Sequence, residues 1–218
     1  MGAKGGADRL RVLVIGAHVD DAECGCGGTI ARHIEREHEV QWHTLISGNY
    51  RVPEGWPEDS LEREYENAMK VMGIENFHLH DFVVDTLDAV TGIRHLLYQI
   101  WQDFQPDVTY VPWKGSRHQD HRAVGQCSYE VSWRSNADSF MYVVPNDYLG
   151  FVPNTYSILD SRFYQKKLEV LAAYRSQVFL RPWFTNNLID SHSRAFAVFA
   201  KGEDCHVEPF IQVKRLLT

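Results

Sequence analysis

"RVLVIGAHVDDAECGCGGTIARHIEREH", residues 11–38, is the stretch that decides the fold. Its opening run, 11–17, is apolar and closes on Gly16 and Ala17, which fits a buried parallel strand better than a helix. Its last part, 28–38, carries Ile30, Ala31 and Ile34 at helical spacing with charges on the other side. Between the two lie His18, Asp20 and Asp21, then Gly25, Gly27 and Gly28, read here as a turn. Carboxylates beside a core are costly unless something pairs with them. The stretch is therefore either a turn with incidental polar residues or half of a binding site.

Outward from it, the chain keeps alternating. Residues 40–47 form a second strand candidate, and 59–73 reads as a helix capped by Asp59 or Ser60 and stopped by Gly73. A short strand follows at 76–82, then an amphipathic helix at 91–106 ended by Pro106, and a strand at 107–112. The second half reads as a helix at 120–134, a strand at 139–144, a Pro/Asn-rich loop at 145–157, a helix at 160–177 and a closing strand at 193–201. Strands and helices at this spacing imply βαβ units. The expectation is an α/β fold: a Rossmann-like, mostly parallel sheet with helices on both faces, in a single domain over 11–218. Residues 1–10 read as a flexible lead-in.

With 218 residues, 44 % of them hydrophobic, the chain can bury a sizeable core. A net charge of −7 argues against a nucleic-acid partner. No apolar run of about 18 residues exists to span a membrane, and the N-terminus does not read as a secretory signal. Four cysteines in a chain of this length suggest reduced thiols and a cytoplasmic setting.

Ligands of open α/β sheets bind beyond the carboxyl ends of the strands. Two polar clusters fall there: "AHVDD" after the first strand and "SRHQDH" (116–121) after the fourth. One His and one Asp from the first, with a His from the second, supply three N/O ligands, the number in a catalytic zinc site with an open position. Spacing alone would also admit His118 as a ligand. Each piece has a plainer reading: an aspartate at a helix N-terminus, glycines for close helix–strand packing, and Cys24 and Cys26 as small packing residues. The glycines do not meet G-x-G-x-x-G, but a phosphate- or nucleotide-binding turn is the rival from outside enzymology.

The sequence resembles the PIG-L/LmbE-like zinc de-N-acetylases. "AHVDDAECGCGGT" is similar to their A-H-P-D-D-E-x-x-G-C-G-G-T signature and "HQDH" to their H-x-D-H. "ENAMKVMG" (66–73), "QPDVTYVP" (105–112) and residues 151–177 resemble further family segments, so the likeness runs along nearly the whole chain. The resemblance implies that His18, Asp21 and His121 hold Zn²⁺ and that Asp20 is the general base for the attacking water. It also implies that His118 stabilises the oxyanion or protonates the leaving amine, and that Asp120 orients a histidine. Arg117 and Arg63 are the candidates for binding substrate, the latter near a family arginine without matching its register. Trp113, Tyr148 and Phe151 are candidates for a stacking wall.

Three positions depart from the family pattern. Val19 stands for its Pro, Ala22 for the acid after the two aspartates, and Ser116 for a Tyr found in some members. The expected activity is removal of an acetyl group from an N-acetylated amino sugar, such as an N-acetylglucosamine derivative, or from a sugar conjugate. The alternatives are a zinc amidase on another N-acyl or thiol conjugate, and an inactive relative. Iron or cobalt would suit the same ligands. The expected partners are a small acetylated molecule and, as a further option, a second copy of the chain in a homo-oligomer.

Overall fold

The first strand, β1 (Arg11–His18), is buried from Val12 to Ala17. Val12 and Val14 enter the core on one face of the sheet, Leu13 and Ile15 the core on the other, as a central strand covered on both faces requires. The computed structural model describes residues 9–47, 52–83, 87–181, 184, 186–200 and 204–215. The lead-in assigned to 1–10 therefore lies almost wholly outside the described residues, as do 48–51 and 201.

β1 pairs in parallel with β2 (Glu39–Ile46) on one side and β4 (Val108–Pro112) on the other. Beyond β2 lies β3 (Phe77–Leu79), and beyond β4 lies β5 (Asp138–Tyr142), both parallel. Two antiparallel strands, β7 (His206–Lys214) and then β6 (Thr155–Leu159), complete the order β3-β2-β1-β4-β5-β7-β6. From β1 the chain moves outward through β2 and later returns to the other side through β4. The gap between β1 and β4 is thus the switch point where such sheets place a ligand.

One core, with Ile30, Trp42, Met69 and Phe163, lies under α1 (Asp21–Glu35), α2 (Ser60–Met72) and α5 (Ser161–Leu171). The other, with Ile93, Leu97, Val124 and Val131, lies under α3 (Leu87–Phe104) and α4 (Gln119–Arg134). α2 ends where expected, at Gly73 in the left-handed conformation, φ 87°. No helix among the described residues is long and apolar enough to cross a membrane.

Four expectations are corrected. Gly25, Gly27 and Gly28 are not a turn: α1 starts at Asp21 and runs through them. Close packing is the reason, since a Cβ on Gly25 would stand 2.1 Å from the Tyr142 ring and one on Gly28 2.4 Å from Leu159. The helix at 160–177 is two helices, α5 and α6 (Arg175–Leu180). The chain turns between them because Tyr174 buries its ring, bonding Glu23, while Glu64 takes both Ser176 N (2.8 Å) and Ser176 Oγ (2.6 Å). The loop at 145–157 ends in β6. Residues 193–200, expected as a strand, are helical, part of α7 (Asn186–Ala200), with Ile189, Ser193 and Ala197 buried at four-residue intervals; the closing strand is β7.

Candidate active site

Only Val19 and Asp20 connect β1 to α1: His18 ends the strand and Asp21 begins the helix. Asp20 bridges them in the left-handed region, φ 80°, where a non-glycine residue costs about 1–3 kcal/mol. Its carbonyl accepts the Cys24 N–H at 2.9 Å, opening the helix. After β4, His118 is the N-cap of α4, its Nδ1 accepting the Asp120 N–H at 3.2 Å. The two expected clusters meet at the switch point.

Three donor atoms form a compact triangle. His18 Nδ1 lies 3.2 Å from Asp21 Oδ2 and 3.3 Å from His121 Nε2, and His121 Nε2 lies 3.1 Å from Asp21 Oδ2. Ligands about 2.0–2.2 Å from one ion stand roughly 3.0–3.5 Å apart on one face of its coordination shell. The residues present therefore fit a metal such as zinc. A second group shares His18: its Nε2 is 2.8 Å from Asp120 Oδ2, and His118 Nδ1 is 3.9 Å from that oxygen. The His118 and His121 rings stack at 4.6 Å.

The electrostatics describe a pocket built for positive charge. Burial opposes protonation of His121, but the Asp21 charge and bonds to Asp147 and Asp21 outweigh it and push its pKa up to about 10. His18 is raised too, since bonds to Asp120 and Asp21 overcome burial. Asp21 is held well below the usual carboxylate range, burial being outweighed by His121 and His18. Asp20 goes the other way: burial, then the Asp21 charge, push it up to about 7 despite Arg181 and the histidines. That is near where a general base is most useful.

Of the substrate-binding candidates, neither arginine is brought onto the donors. Arg63 is exposed on α2, its guanidinium 2.8 Å from Asp59. Arg117 is exposed, and its backbone N–H donates to Asp147 Oδ1 at 2.9 Å. Trp113 and Phe151 do meet, edge to face at 5.4 Å, while Tyr148 is half exposed. Cys24 and Cys26 are buried free thiols, consistent with packing.

Three neighbours of the candidate site went unseen in the sequence. Arg181, just past α6, puts Nη1 3.2 Å from Asp20 Oδ2 and lines a small recess with His18, Val19, Ser47, Leu61 and Gln177. Glu23 is one residue beyond Ala22, where the family acid was missing. It is buried, accepts the Tyr174 hydroxyl, and is pushed up to about 8 by burial. Asp147, buried in the loop after β5, lies against Ser116, Arg117 and His121. Only Glu23 carried a signal, an acid displaced by one position.

With that geometry in place, the likeness to known proteins can be weighed. Residues 13–132 match the family described as PIG-L: GlcNAc-PI de-N-acetylase. The chain is 29 % identical over 178 residues to the uncharacterized deacetylase YaiS of Escherichia coli K12, covering 77 % of this chain and 92 % of that one. Among solved structures it resembles N,N'-diacetylchitobiose deacetylase from Pyrococcus horikoshii (TM-score 0.73, 19 % identity, 93 % of this chain and 83 % of that one). It equally resembles GalB, the 4-carboxy-2-hydroxymuconate hydratase of Pseudomonas putida KT2440 (TM-score 0.77, 17 % identity, 96 % and 98 %).

Proposed function

The chain belongs to the PIG-L family, and from that premise we propose that it is a zinc-dependent hydrolase. It removes the N-acetyl group of an N-acetylated amino sugar or sugar conjugate and releases acetate. The observation that carries this reading is the triangle of His18 Nδ1, Asp21 Oδ2 and His121 Nε2 beside a buried carboxylate, Asp20. Fold alone does not choose the reaction, since a hydratase shares it.

Zinc held by His18, Asp21 and His121 would supply acidification of water and polarisation of the acetyl carbonyl. The chain's own groups supply the rest. His18 donates Nε2–H to Asp120, which leaves the Nδ1 lone pair toward the other donors. Asp120 is thus the orienting group for His18. Asp20 takes the proton of the attacking water and delivers it to the departing amine nitrogen, so that water and amide become acetate and amine. His118 accepts at Nδ1 from the Asp120 N–H, so its ring proton sits on Nε2. That N–H is the donor to the carbonyl oxygen as negative charge grows there. Arg181, ion-paired to Asp20, replaces Arg63 as the cation beside the base, and Arg117, exposed next to His118, is kept as a substrate-binding candidate. The enzyme would act in the cytoplasm on a small molecule.

The test is metal content by elemental analysis, paired with acetate release from a panel of N-acetylglucosamine derivatives. About one zinc per chain with acetate released is expected. A protein that takes up no transition metal after reconstitution would overturn the reading.

A further inference from the structure

We propose that Asp147 is the positioning residue of this centre, one buried carboxylate that aims His121 at the metal and sets the height of His118. The inference rests on the metal-dependent reading above and extends it to a residue outside both motifs. Asp147 lies in the loop past β5, between exposed Asn146 and Tyr148, yet is itself only 6 % exposed. Its backbone N–H bonds Val144 O at 3.0 Å, a turn that tips the side chain inward. A carboxylate sunk this far needs donors, and those it finds belong to the 116–121 segment. Ser116 Oγ donates to Oδ2, Arg117 N donates to Oδ1 at 2.9 Å, and His121 Nδ1 lies 3.5 Å from Oδ2.

Two consequences follow from those contacts. A proton kept on His121 Nδ1 leaves Nε2 as the lone pair facing His18 and Asp21, the outer-shell arrangement that fixes a ligand's tautomer and ring angle. Meanwhile Ser116 Oγ accepts the His118 N–H at 3.0 Å while giving its own proton to Asp147. The line Asp147–Ser116–His118 therefore ties the α4 N-cap to the same carboxylate. The small side chain at Ser116, where some family members carry a tyrosine, lets the serine sit in this line.

The competing role is a loop clamp with no bearing on the metal, and the experiment separates the two. Zinc affinity is measured by chelator competition on folded wild type, Asp147→Asn and Ser116→Ala, with thermal unfolding of each recorded alongside. Asp147→Asn keeps the shape and offers His121 an amide in place of the acceptor oxygen. It should bind zinc about 10–100-fold more weakly. Ser116→Ala removes the acceptor of the His118 N–H and one donor to Asp147 but leaves the Asp147 carboxylate beside His121, so zinc affinity should fall less than in Asp147→Asn while kcat falls more than KM changes. Zinc affinity unchanged in Asp147→Asn, with only the melting temperature lowered, would overturn the proposal and leave the enzyme reading standing. Wild type that binds no zinc would instead sink the reading beneath it. Should Asp147→Asn not fold, ¹⁵N spectra of zinc-loaded wild type decide: a slowly exchanging His121 Nδ1 proton is expected, and one exchanging as fast as an exposed imidazole would refute the assignment.

Discussion

At its first turn α1 meets His18, Asp20, Asp21 and His121; two turns later the same helix meets Glu208 and Lys167. Both places bury charge, and they do so differently. Glu208, 1 % exposed, accepts Gly28 N (2.9 Å), Thr29 N (2.7 Å) and Thr29 Oγ1 (2.6 Å), and its charge is met by Lys167 Nζ at 2.8 Å. One anion, one cation and three neutral donors close the account. At the N-terminal end, Asp20 is met by Arg181, Asp120 by His18 Nε2, and Asp147 by Ser116 Oγ and Arg117 N, while Asp21 sits between His18 and His121. There Asp21 Oδ2, His18 Nδ1 and His121 Nε2 also converge, each within 3.1–3.3 Å of the other two. A buried charge with its own partners is structure. Lone pairs that converge fit the metal proposed above.

The largest effect separates two neighbours within the open end. Asp20→Asn should keep the metal and lose about 10²–10⁴ in turnover, because only proton transfer is removed. His121→Ala should lose both metal and turnover. Elemental analysis beside acetate release reads the contrast, and metal lost from Asp20→Asn would mean the adjacent aspartates have been given each other's roles. The next effect belongs to the closed end. Lys167→Met leaves Glu208 buried and uncompensated, and urea unfolding should show a loss of about 3–5 kcal/mol. Metal affinity of the folded variant should not change. If it drops, the two ends are coupled along α1 and the contrast between them fails.

Both halves of that contrast were unequally legible in the sequence. The open end could be read because β1 is a contiguous apolar run whose candidate ligands follow immediately, and because "HQDH" repeats the arrangement after a strand that turns out to be its neighbour. The closed end could not. Glu208 is contributed by a strand that holds Pro209 in mid-run, opposite Tyr156, and a proline argues against a strand in any sequence reading. The helix at 186–200 was hidden differently: Val198 and Phe199 are apolar yet 67 % and 75 % exposed, so they blur the four-residue period of Ile189, Ser193 and Ala197. Asp147 and Arg181 reach the site only through the fold. No spacing connects them to residues 18–21 or 116–121, and an aspartate in a Pro/Asn-rich loop reads as a turn.

The smallest effect comes from buried groups that carry no charge at all, the limiting case of the closed arrangement. His43, under α3's side of the sheet, stacks on His78 at 4.5 Å and His80 at 5.3 Å, with Nδ1 3.0 Å from His80 Nε2. Burial, and then the neighbouring imidazoles, push its pKa down to about 3. The folded value lies below the unfolded 6.5, so this residue leaves stability untouched above pH 6.5. Below that the unfolded chain takes up a proton that the folded chain refuses, and stability falls by up to about 1.4 kcal/mol per pH unit until the folded value is reached. His43→Leu removes that term and leaves an apolar side chain on the sheet face that carries Leu45. Urea unfolding from pH 7.5 to 4.5 should give two curves with a constant offset above pH 6.5 that converge or cross below it, while the carboxylates of the site, common to both proteins, cancel in the difference. Parallel curves throughout would mean that His43 is protonated in place, and that the stacked imidazoles tolerate a cation as the site at the other side of β1 does.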